Sequence, residues 1–131
     1  MYLLRKILLI LLLVIPSISH AEWKDWSDSD KSLFVASELA MVADWSTTRY
    51  ATRHWDTLKD KSRETNIFLG RYPNTAQVDG YFIICSFVNY YLTDTLPSTG
   101  YYRPMYLSAR IYIHTHAAHK NEVELGWHYN F

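Results

Sequence analysis

Between Pro73 and Pro97 lies a dense apolar stretch, and its punctuation limits what this chain can become. "LGRYPNTAQ" is turn material: Gly70, Pro73 and Asn74 break any regular element, and Asn74 or Thr75 can cap a helix beginning there. The spacing of Val78, Tyr81, Phe82, Ile83, Ile84, Phe87, Val88, Tyr91 and Leu92 predicts such a helix from about Thr75 to Thr93, which Pro97 stops. Asp79, Gly80 and Asn89 interrupt its apolar surface, so it is a poor solitary membrane span. A core helix or a half-inserted interfacial helix fits better.

The N-terminus reads differently. "MYLLRKILLILLLVIPSISHA" places Arg5 and Lys6 before an apolar run from Ile7 to Ile15, then Pro16, then small residues Ser19 and Ala21. That order predicts a secretory signal peptide over residues 1–21, with an uncleaved anchor as the alternative. Residues 22–131 would then form one small helical domain. Over the whole chain 13 basic residues balance 13 acidic ones, and loss of Arg5 and Lys6 leaves the acidic side ahead. Such a balance gives no general attraction to nucleic acid. The single cysteine, Cys85, cannot close an internal disulfide and reads as a small buried apolar residue. The aromatic content is high, with 11 Tyr, 5 Trp and 5 Phe. Tyrosine and tryptophan collect at protein and membrane interfaces, although a small core built from large side chains would look the same.

A first helix should begin near Asp30, with Ser27, Asp28 and Ser29 as possible caps. On it Leu33, Ala36, Ala40, Thr47 and Ala51 form a narrow stripe edged by Ser37, Asp44 and Thr48. Phe34, Val35, Leu39, Met41, Val42 and Trp45 cover the other sides, so its first half should be buried or touch lipid. "RHWDTLKDKSRETN" mixes charges as a solvated helix end and loop does. "PMYLSARIYIHTHAAH" is ambiguous: Tyr106, Ala109, Arg110, Ile113 and Ala117 keep helical register, while Leu107, Ala109, Ile111 and Ile113 alternate as in a strand. The two preceding helices favour a third. "EVELGWHYNF" alternates strictly, which is strand patterning; it is similar to the last strand of an outer-membrane barrel, but too little chain remains for eight such strands. The expected fold is mainly α: two to three packed helices with an extended or short β-like C-terminal tail.

"DWSTTRYATRH", "ETNIFLGRYPNTAQVDGYF", "LPSTGYYRPMY" and "ELGWHYNF", in that order, resemble a family of small uncharacterised bacterial and phage-associated envelope proteins. Its pattern is Asp-Trp-x-x-Thr, then Glu-x-Asn-Pro-x-Leu-Gly-x-x-Pro, an aromatic helix, Leu-Pro, Arg and a terminal aromatic. Asp44, Trp45, Thr48, Glu64, Asn66, Leu69, Gly70, Pro73 and Arg103 stand at the signature positions, and Ile67 replaces the usual proline. The resemblance implies a helical membrane-associated fold and attaches no activity to it.

Asp44 is the residue that most needs explaining, because a charge in an apolar helix needs a partner, a reaction or a wet cavity. Asp44, Thr48, Glu64 and Asn66 are expected to form a structural polar lock between the first helix and the "ETN" loop. Acid–base catalysis by Asp44 is the enzymatic alternative, but no Gly-x-Ser-x-Gly, Cys-His pairing or close carboxylate pair accompanies it. His114, His116 and His119, completed by Glu122, are the metal candidates, for zinc or copper. Taken together, the expectation is a non-enzymatic protein exported to the periplasm or cell envelope, acting on a membrane surface or envelope protein, with homo-oligomers open and no nucleic-acid partner. A small periplasmic metal-binding protein is second.

Overall fold

The computed structural model describes residues 23–54, 66, 68–70 and 72–125. Among the described residues three helices carry the fold: α1 (Asp28–Arg53), α2 (Thr75–Thr95) and α3 (Tyr102–Leu125), preceded by a 3-10 turn at Trp23–Asp25. No strand occurs among the described residues. The leader at 1–21 and residues 126–131 of the expected tail lie outside them.

Local chemistry sets the helix ends. Ser27 caps α1 by accepting from the Asp30 amide at 3.0 Å, while Asp28 and Asp30 place negative charge on its first turn, where the helix dipole favours it. Asn74 and Gln77 close a reciprocal capping box on α2, at 2.9 and 2.8 Å. The short turn into α3 needs a left-handed residue, supplied by Gly100 at φ 82°. Pro104 then falls within the first turn of α3, where a missing N–H leaves no bond unmade.

The third segment is therefore a helix, one that runs on through Leu125. Residues 122–125, which alternate as a strand would, are its last turn. Its inward register also differs from the apolar one in the sequence: Arg103, Leu107, His114 and Ala118 are buried, whereas Ile113 is exposed. Polar side chains with partners on α1 outweigh the apolar period here.

Helix α1 is the centre, with α3 packed along much of its length, α2 against a second flank, and α2 and α3 barely meeting. The small-residue stripe explains the close α1–α3 approach: Ser37, Ala40, Asp44, Thr47, Thr48 and Ala51 are all buried. The apolar core is modest, consisting of Met41, Leu69, Val78 and Phe82 with Trp45, Tyr81 and Cys85 against it. Other apolar side chains, expected either in a core or against lipid, point out. Val35, Leu39 and Val42 on α1 and Ile83, Ile84, Phe87 and Val88 on α2 are exposed.

Polar knots hold the rest. The guanidinium of Arg103, 1% exposed, donates to the carbonyls of Leu96 (3.0 Å) and Asp94 (3.3 Å), pairs with Asp30 (3.6 Å) and lies over Trp26. Trp26 donates to Asp94 (3.0 Å) and stacks on Tyr90. Between α1 and α2, Glu38 accepts from Ser86 (2.5 Å) and Asn89 (2.6 Å), and Asp79 accepts from Trp45 (2.8 Å) and pairs with Arg49 (3.2 Å).

Candidate functional site

Asp44 sits midway along α1 on the face turned to α3, and both it and His114 are buried. His114 Nδ1 and Asp44 Oδ2 are 2.8 Å apart. A carboxylate oxygen accepts, so Nδ1 carries the hydrogen. Thr48 Oγ1, one turn on, donates to Asp44 Oδ1 at 3.3 Å. Asn121, two turns beyond His114 on α3, donates from Nδ2 to Thr47 (3.0 Å) and Thr48 (3.2 Å). The result is one polar chain, His114–Asp44–Thr48–Asn121, that ties the middle of α1 to α3.

Helical spacing produces this directly. Asp44, Thr47 and Thr48 share a face at three and four residues, as do His114 and Asn121 at seven. Two stripes of matching polar spacing then meet once the small residues let the helices approach.

The neighbouring phenols respond to the same enclosure. Burial raises the Tyr81 hydroxyl above its ordinary value; Asn66 opposes this, while Cys85 and the Asp44 charge add to it. Burial likewise raises Tyr106, with Arg110 opposing and Glu38 and Cys85 adding. A desolvated phenol loses more from ionising than a solvated one.

Of the expected lock, Asp44 and Thr48 stand together. Asn66 instead turns to the Phe68 amide at 3.0 Å and to Tyr81, and Glu64 lies outside the described residues. Sequence reasoning misses His114 as the partner of Asp44; its seven-residue spacing to Asn121 is the available signal, masked by the apolar alternation around it. The three histidines of the metal set do not converge. His114 faces α1, His116 stacks on Tyr112 at the surface, and His119 is exposed beside Glu122 at 3.9 Å. No group of three or more potential metal ligands gathers among the described residues.

As chemistry, a carboxylate holding imidazole Nδ1–H is the orienting half of a base. The other half would be a nucleophile or substrate at the far nitrogen. Among the described residues the imidazole hydrogen-bonds to Asp44 alone, and the ring nearby is Phe82, 6.3 Å between centroids. The arrangement is suited to joining helices. No protein-family model, curated protein or solved structure matches this chain.

Proposed function

We propose that this is a non-enzymatic, exported protein of the cell envelope that acts by association, with the Asp44–His114 lock fastening α3 behind α1, one of the two helices that present its docking face. The observation that carries this reading is the apolar exterior of α1 and α2. Leu39 is 65% exposed, Ile84 63% and Phe87 73%, in a chain whose buried α1–α3 seam is largely small and polar. Contiguous apolar surface of this kind marks an interaction site. The resemblance of residues 41–131 to small envelope proteins supports the same reading, as does the leader-like N-terminus. Cell fractionation with intact-mass measurement tests it: the protein should be found with the envelope, its N-terminus at or next to Glu22. Full-length chain recovered from the cytosol would overturn export.

A further inference from the structure

We infer that the occupant of this face is the surface of an electrically neutral lipid bilayer, with α2 lying in the membrane plane at the boundary between headgroups and acyl chains. The inference rests on the association reading and names its partner. From Gly80 to Tyr91 the outward side of α2 carries Gly80, Ile83, Ile84, Phe87, Val88 and the tyrosines, with neither a charge nor an amide. Val42 of α1 and Ile83 of α2 line one open groove of about 400 Å³ whose floor also holds Glu38, Asp79 and Ser86, each bonded within the protein, and the exposed Val35–Leu39–Val42 ridge borders it.

Three features favour lipid over protein. A protein interface normally offers about one hydrogen bond per 100–200 Å² and charged or amide groups at its rim. The outward turns of α2 offer none, and the polar groups in the groove beside them, Glu38, Ser86 and Asp79, are already bonded to protein partners. The polarity is also partly turned round: beside the small core of Met41, Leu69, Val78 and Phe82, the α1–α3 seam holds Asp44, Thr47, Thr48, Asn121 and His114 bonded to one another, and more of the described large apolar side chains are exposed than buried. Small and hydrogen-bonded inside with aliphatic outside is the arrangement an apolar solvent selects. Finally, exposed tyrosines flank the aliphatic centre, with Tyr72 before α2 and Tyr90, Tyr101 and Tyr102 towards and beyond its end. Amphipathic rings of this type settle at headgroup depth.

The same residues fix the mode. The two acidic residues of α2, Asp79 and Asp94, are fastened to Trp45 and Trp26 of the protein, so one flank of the helix stays against α1 and lipid cannot surround it. No described helix is long and apolar enough to cross a membrane. An in-plane helix immersed by roughly 5–10 Å is the remaining geometry. The last turns of α3, with His116, His119, Lys120 and Glu124 exposed, stay in water. With acidic residues slightly in excess after loss of the leader, attraction to anionic headgroups is not needed.

The test is flotation of the purified protein with vesicles of pure phosphatidylcholine. The expected result is co-flotation that persists in high salt. In the Ile84→Ser/Phe87→Ser variant the partition coefficient should fall about a hundredfold, since each removed side chain is worth about tenfold on burial. Phe87→Leu should stay within about threefold of the parent, and circular dichroism of all variants should be unchanged. Flotation of the double serine variant at the parental level would overturn the inference. So would a parent that remains unbound: if it then self-associates through Phe87, the partner is a second copy and association stands. If it neither floats, self-associates nor fractionates with envelopes, both readings fall.

Discussion

Replacing Asp44 by alanine should be among the most damaging single changes in the interior. The substitution removes the acceptor of a 2.8 Å bond from His114 and of a 3.3 Å bond from Thr48, both buried. Asn121 donates to Thr48 and does not replace the acceptor its hydroxyl loses, but that hydroxyl can turn to the backbone carbonyl one turn back, so the heavier loss falls on His114, whose Nδ1–H is left without an acceptor. A buried donor left without a partner costs about 1–3 kcal/mol, and the vacated volume adds to that, giving about 2–3 kcal/mol in total. For a domain of this size the corresponding fall in melting temperature is about 10–20 °C. Asp44→Asn retains an acceptor oxygen and a similar shape, so its cost should be smaller. The decisive comparison is the cycle with His114→Leu. Removing both polar partners together should cost less than the sum of the singles, by about 1 kcal/mol or more, because the second change no longer strands anything. Urea denaturation followed by circular dichroism supplies all four stabilities. If Asp44→Ala melts with the parent, or the two changes are additive to within a few tenths of a kcal/mol, the bond between α1 and α3 contributes nothing and Asp44 must be present for another reason.

Two further outcomes are expected. Arg103→Ala leaves Asp30 buried beside an empty space and frees the carbonyls of Leu96 and Asp94; loss of one partner of a buried pair should cost about 3–5 kcal/mol in the same assay. Because burial raises Tyr81 and Tyr106, the folded chain holds these two protons more tightly than the unfolded one. Their contribution to stability is whole below pH of about 10 and is lost as pH climbs through the raised folded values. Spectrophotometric titration should show part of the tyrosines ionising later than the rest in the native protein and together with them in urea; a single native step would contradict the burial.

The helices were legible because their signals are local. Ser27, Asn74 and Pro97 act on their immediate neighbours, and the apolar period of α2 needs no knowledge of the rest of the chain. The small stripe of α1 was likewise visible, and it is the buried seam. The α3 register was not, since Leu107, Ile111 and Ile113 fit a strand as well as a helix until the partner helix is known. The partner of Asp44 was hidden for the same reason: it lies 70 residues away, and the seven-residue spacing of His114 and Asn121 shows a shared helix face without saying which residue it meets. Nor could apolar content alone show that Val35, Leu39 and Phe87 would lie outside while Thr47 and Asn89 lay inside. An interior organised by hydrogen bonds breaks the rule that converts apolar residues into core.

This protein is proposed to work through its apolar exterior, with Asp44 serving the fold. Envelope fractionation of two variants in parallel tests it most directly: Ile84→Ser/Phe87→Ser, which alters only exposed side chains, and Asp44→Asn, which keeps the shape of the lock. The first should move to the soluble fraction while still folded, and the second should stay with the envelope. Retention of the first with release of the second would place the function at Asp44 rather than on the apolar exterior.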